Sequence, residues 1–226
     1  MDLLGFTIIV VKVLVVFAAT MLGVLVMIYA ERRVSAFMQD RVGPNRVGPK
    51  GVLQPIADGI KFLMKEDLVP ERVDKPIFIL APAILLIPAL MTFAVIPFGS
   101  SINLFGREIA LQVADVNVGI LYVLALTSIS VYGIVLAGWS SNNKYSLLGG
   151  LRSSAQLISY ELAMGLAVVS IILLAGSLRL NDIITDQQGS FLSWNIFRQP
   201  LAFLIFLIAV YAETNRLPFD LSEAEQ

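Results

Sequence analysis

Five long, unbroken apolar runs constrain this chain more than any other feature: about residues 5 to 30, 77 to 98, 117 to 139, 155 to 178 and 199 to 213. A helix needs roughly 20 apolar residues to cross about 30 Å of hydrocarbon; the first four runs meet that length and the fifth is brief. The runs are continuously apolar rather than alternating, and a segment in lipid must satisfy its own backbone hydrogen bonds, so helices are expected and barrel strands are not. Composition agrees, with 57% hydrophobic residues and a mean hydropathy of +0.81, above what a soluble domain carries. The expected fold is an all-α integral membrane protein. It is a single membrane domain over 1–226 that bundles about five transmembrane helices, with no separate soluble domain.

The first run does not read as a cleaved signal peptide. Its start carries Asp2 in place of a basic cluster, and it is too long. It also runs into Glu31-Arg32-Arg33 instead of a small-residue cleavage site. Cysteine and histidine are both absent, which removes thiolate-held iron–sulfur clusters, the common haem ligations and the usual zinc sites. No metal, haem, flavin or iron–sulfur cluster is expected on this chain, and any electrons must come from a partner. A formal net charge of −1 gives no basic footprint for nucleic acid.

Lysine and arginine set the orientation, since residues 31 to 75 hold nine of the sixteen. That stretch belongs on the cytoplasmic or matrix side. With five crossings the N-terminus lies outside, residues 31–76 and 140–154 inside, and the acidic end of the chain inside.

The inside stretch divides into a loop and a helix. RVGPNRVGPKG, from Arg41 to Gly51, nearly repeats a pentapeptide. Its glycines and prolines forbid a regular helix and present Arg41, Arg46 and Lys50, as an ordered turn or as a basic collar for anionic headgroups. Over about 55–66 the pattern becomes helical, with Pro55 suited to the first turn. Asp58, Lys61 and Lys65 share one side, and Ile56, Ile60, Leu63 and Met64 the other, the pattern of an interfacial amphipathic helix.

Glu161 is the intramembrane residue that needs explaining. It lies about seven residues into the fourth run, roughly 10 Å below the inside surface at 1.5 Å per residue. Ser154 and Gly165 fall on its face, so that face is expected to meet other helices. A carboxylate at such depth costs on the order of 3 kcal/mol and marks an ion or proton pathway, or else a silent pairing with an arginine. Lys12, in the first run, is expected to snorkel to the outer surface and is given no function.

The chain ends with AETNRLPFDLSEAEQ, residues 212 to 226. Glu213 and Arg216 are one helical turn apart and can pair. Asp220, Glu223 and Glu225 crowd together with no local cation, so they are expected to titrate as a coupled set that stores and passes protons. The apolar Leu217-Pro218-Phe219 in their midst favours a segment folded back against something over a solvated acidic loop.

Three long motifs, in order along the chain, carry a resemblance. AERRVSAFMQDRVGPNRVGPKGVLQPIADGIKFLMKED, LAGWSSNNKYSLLGGLRSSAQLISYE and AETNRLPFDLSEAEQ resemble the inside loops of the quinone-site membrane subunit of respiratory complex I, a family with bacterial and mitochondrial members. The likeness covers nearly the whole chain. The resemblance implies a proton-translocating NADH:quinone oxidoreductase in the bacterial inner membrane, with quinone as substrate. It implies partners among the other complex I subunits, including neighbouring small membrane subunits and the hydrophilic subunit with the terminal iron–sulfur cluster. It also implies that Glu31, Arg32, Arg41 and Asp58 line or shape the quinone passage. Glu161, Glu213, Asp220, Glu223 and Glu225 would then form a proton relay, with Arg216 ordering its loop. No redox activity is expected from the chain alone. Family members continue with another acidic position and about three more spans, so the chain reads as C-terminally truncated. Two other classes stay open: the related membrane subunit of energy-converting hydrogenases, and, more distantly, a secondary ion or solute transporter, although no repeated halves are visible.

Overall fold

A computed structural model of the chain describes residues 3–66, 68–104, 107–214 and 219. The chain forms two compact units, 1–68 and 69–226.

The first unit opens with α1, Leu3–Met38, a helix of 36 residues. At 1.5 Å per residue it is about 54 Å long, well beyond the hydrocarbon thickness. The apolar run stops near residue 30, but the helix continues through Glu31, Arg32 and Arg33 to Met38. Polarity ends the membrane stretch and not the helix, because no glycine or proline appears between Ala30 and Arg41. The glycine-rich loop follows, closing in a 3₁₀ turn at Pro49–Gly51. Next comes α2, Gln54–Leu63, with proline in its first turn. It starts one residue before the expected 55–66 helix and ends three earlier. Its apolar side is open: Leu63 is 88% and Met64 83% exposed, with Ile56 and Ile60 also exposed. This is the form of a helix meant to lie on a lipid surface.

In the second unit α3, Lys75–Thr92, contains Pro82 and Pro88 and tightens into a 3₁₀ turn at Phe93–Val95. Prolines of this kind are tolerated in membrane helices, where neighbours satisfy the freed carbonyls. An antiparallel hairpin, β1 Ser101–Leu104 and β2 Arg107–Ala110, sets Ile102 opposite Ile109. After it, α4 covers Gly119–Ser140 and α5 covers Lys144–Ala175. The expected inside loop 140–154 is thus a sharp break at 141–143 followed by helix. The sequence KYSLLGGLRSS is too polar to count as a span, yet nothing in it stops a helix that Asn143 caps by accepting from the Tyr145 amide at 3.0 Å. α5 ends at Gly176, which is left-handed with φ 68°.

Packing in this unit runs α3 on α4, α4 on α5, and α5 on α8, Pro200–Glu213. The α4–α5 contact depends on paired glycines. A Cβ on Gly138 would sit 2.9 Å from the Ser146 carbonyl oxygen and 3.4 Å from the Gly150 Cα, so the backbones meet with no room for a side chain. On α8, Ala209 and Ala212 are buried and let it approach α5 closely. Two short helices, α6 Leu180–Asp186 and α7 Asn195–Arg198, lead to α8. They are tied back by the forked Arg179–Asp115 pair and by Asn181 donating to Gln112 at 2.9 Å. Among the described residues, α1, α3, α4 and α5 are long and apolar enough to cross a bilayer. α8 has 14 residues, about 21 Å, and is short for a crossing.

Candidate functional site

Two groups of predicted residues take shape, one in each unit. In the first, the end of α1 organises the loop after it. Tyr29 donates its hydroxyl to the Lys50 carbonyl at 2.9 Å, and Arg33 reaches the carbonyls of Pro44 at 3.2 Å and Lys50 at 3.5 Å. Gly51, at φ 77°, closes the loop on itself: a Cβ there would lie 2.2 Å from the Pro44 carbonyl oxygen. The two halves of the near-repeat therefore touch backbone to backbone, and the ordered turn, not a loose collar, is what the structure contains. Arg41 projects from it, exposed, with its Nε donating to Gln39 Oε1 at 2.6 Å.

Arg32 and Asp58 come together as an ion pair that joins α1 to α2. Asp58 spends its other oxygen on Gln54, whose Nε2 donates at 3.0 Å. The Arg32 hydrogen bond, then that of Gln54, holds the Asp58 carboxyl below its ordinary 3.8, so it stays charged at any physiological pH. Glu31 precedes Arg32 on α1.

The second group is built on Glu161. It falls on the buried stripe of α5, in series with Ser154, Leu157 and Met164, so its face does turn toward other helices. Because α5 begins at Lys144, Glu161 stands about 25 Å along the helix instead of roughly 10 Å from its start. Two hydroxyls from α4 converge on a single carboxylate oxygen: Thr127 Oγ1 at 2.9 Å and Ser128 Oγ at 2.6 Å from Glu161 Oε1. Among the described residues, no arginine pairs with it. From α8, Glu213 lies near enough for its charge and that of Glu161 to act on each other. The site therefore holds two carboxylates on neighbouring helices, in a wall of apolar side chains, with hydroxyls as hydrogen-bond partners.

Arg216, Asp220, Glu223 and Glu225 lie outside the described residues. Phe219, in their midst, is described, and it does fold back. Its ring meets Tyr160 of α5 edge-on at 5.4 Å and Tyr211 of α8 at 6.2 Å, and Gln156 donates to its carbonyl at 2.7 Å. Sequence reasoning missed Tyr29, Arg33, Thr127, Ser128 and Gln156. The one available signal was the Thr-Ser pair inside an otherwise apolar run, and hydroxyls there are commonly satisfied by their own helix.

A bundle of long apolar helices with a carboxylate pair between two of them defines a polytopic membrane protein with an intramembrane acidic site. Residues 11–226 match the sequence model of a family described as NADH dehydrogenase, and the chain belongs to that family. It is similar to an H-type membrane subunit of NADH-quinone oxidoreductase from Geobacter metallireducens, at 58% identity over 214 residues, covering 95% of this chain and 64% of the relative. The corresponding protein of Thermomicrobium roseum is 58% identical over 206 residues, covering 88% and 60%. That of Flavobacterium psychrophilum is 51% identical over 215 residues, covering 95% and 62%. The chain thus spans under two thirds of the length of these relatives.

Proposed function

We propose that this chain serves as the quinone-site membrane subunit of a bacterial NADH-quinone oxidoreductase, coupling quinone reduction to proton translocation. The carboxylate pair Glu161–Glu213, bonded by hydroxyls instead of neutralised by an arginine, is the observation that carries this reading. A silent structural ion pair has no use for such an arrangement, whereas a group that must gain and lose a proton does. Family membership, and relatives that belong to NADH-quinone oxidoreductases, point to the substrate.

In this account Glu31, Arg32, Arg41 and Asp58 line or shape the passage for the quinone headgroup. The Arg32–Asp58 pair fixes α2 to α1, and Arg41 presents a planar fork of donors to a carbonyl. Reduction of the quinone to quinol takes two electrons, delivered by the partner subunit with the terminal iron–sulfur cluster, and two protons. Glu161, Glu213 and the acidic residues Asp220, Glu223 and Glu225 pass protons or charge onward to the neighbouring membrane subunits, with Arg216 ordering their segment. The two units act as parts of one membrane domain in the inner membrane, with the N-terminus outside and the 31–76 and 140–154 segments on the cytoplasmic side.

Photolabelling with a reactive quinone analogue, in membranes holding the assembled complex, tests the reading. Label within residues 31–66, competed away by excess quinone, is the expected result. Label confined to other subunits would defeat it and favour the hydrogenase-type membrane subunit, which works without quinone.

A further inference from the structure

Thr127 and Ser128 each face two acceptors. Thr127 Oγ1 is 2.9 Å from the Leu124 carbonyl oxygen and 2.9 Å from Glu161 Oε1. Ser128 Oγ is 3.0 Å from the same carbonyl and 2.6 Å from the same carboxylate oxygen. A hydroxyl has one hydrogen to give and can accept as well, so neither can satisfy both acceptors at once as a donor. The choice it makes depends on what the carboxylate carries.

We propose that Thr127 and Ser128 form a hydroxyl clamp that lets Glu161 exchange its proton in place, each hydroxyl turning between the Leu124 carbonyl and the Glu161 carboxylate. With Glu161 ionised, both hydroxyls point their hydrogens at Oε1, and the charge receives two donors. When a proton arrives on Glu161, the new O–H donates to one hydroxyl oxygen, and that hydroxyl swings its own hydrogen onto the Leu124 carbonyl. One proton is added, no covalent bond of Thr127 or Ser128 breaks, and no buried polar atom is stranded in either state. Since an unsatisfied buried polar group is costly, a site bonded in only one state would resist the change of protonation, whereas this one serves both.

Sequence alone supports the same assignment of roles. The helix that supplies the hydroxyls, α4, carries no Asp, Glu, Lys or Arg, so nothing on it competes with the hydroxyls for the carboxylate. The titratable groups that α8 brings to this region are Tyr211 and Glu213, and Glu213 is the one whose charge reaches Glu161. Thr127 and Ser128 are positioning residues here. The clamp deepens, and rests on, the reading of Glu161 as a proton relay.

Infrared difference spectroscopy of the assembled complex, between low and high pH, separates the two ideas. The acid carbonyl band of Glu161 is identified as the one lost in Glu161→Gln. In the Thr127→Val, Ser128→Ala double variant this band should move to higher frequency, because the acid has lost its acceptor, and coupled quinone turnover should fall about tenfold or more. Thr127→Ser with Ser128→Thr keeps both hydroxyls and should restore the band position and most of the turnover, which a loss of packing alone would not do. An unmoved band in the double variant overturns the clamp, as does the absence of any Glu161 acid band across the pH range. A moved band with unchanged turnover supports the clamp and defeats the relay reading on which it was built.

Discussion

Replacing Gly51 with alanine tests whether the loop between α1 and α2 is a shaped element. The residue sits at φ 77°, in the left-handed region where an L side chain costs roughly 1–2 kcal/mol. Lys50, its neighbour at φ 53°, shows that this loop bears such a cost once, so the conformation alone is not decisive. The decisive term is contact. An alanine Cβ would lie 2.2 Å from the Pro44 oxygen, 2.4 Å from its carbonyl carbon and 2.8 Å from the Asn45 nitrogen, all backbone and all held by the Arg33 hydrogen bond to Pro44. None of these atoms can move aside as a side-chain tip would, so the halves of the loop must separate at a total cost of about 3 kcal/mol or more. In the assembled complex, Gly51→Ala should raise the apparent KM for quinone and open Arg41, Arg46 and Lys50 to trypsin, while assembly persists. Gly59→Ala is the control: nothing lies within 4 Å of its Cβ, and alanine in α2 should stabilise by up to about 1 kcal/mol. Wild-type KM and an unchanged tryptic pattern in Gly51→Ala would refute the argument that backbone contact shapes this loop.

Three further outcomes are expected. Arg41→Lys keeps the charge and loses the planar fork, so quinone KM should rise several-fold with kcat little changed; free substitution by lysine would mean that the loop only meets lipid headgroups. The Arg32–Asp58 pair lowers the Asp58 pKa, so its stabilising effect is complete above the ordinary 3.8 and fades as pH falls through the depressed folded value. Thermal melts from pH 7 to pH 2 should then show the difference between wild type and Asp58→Asn closing only at the acid end, and a gap that closes between pH 7 and 5 would contradict this. Phe219→Ala removes the ring that rests on Tyr160 and Tyr211, and should speed tryptic cleavage near Arg216 in inside-exposed membranes, with unchanged cleavage as the contrary result.

Composition made the helical membrane class legible, because apolar runs of span length leave few other solutions. Helix ends were less legible. α1 and α5 both run past their apolar runs, since Glu31-Arg32-Arg33 and Ser146–Ser154 are polar enough to leave a hydrophobicity window yet helical by preference. Glu161 stood out from sequence because an ionisable residue in an apolar run is expensive, and Asp58 because helical spacing placed it with Lys61 and Lys65. Their partners were hidden for another reason. Thr127 and Glu161 are 34 residues apart, and Arg32 and Asp58 are 26 apart, so pairing depends on how helices cross, which no local pattern encodes. Tyr29 and Arg33 escaped notice because an aromatic and a basic residue at a membrane boundary already have an ordinary explanation as interface anchors.

The most direct measurement of the central claim is coupled turnover in Glu161→Gln, in proteoliposomes of the assembled complex. The amide keeps the shape and one oxygen for Thr127 and Ser128, so each hydrogen bond weakens from charge-assisted to neutral, a loss of about 1 kcal/mol apiece. Removing a carboxylate from the apolar interior returns on the order of 3 kcal/mol, so assembly should survive. Glutamine cannot take up the proton, and quinone reduction and proton pumping should therefore fall together. An assembled Glu161→Gln complex that reduces quinone and pumps at the wild-type rate would contradict the account.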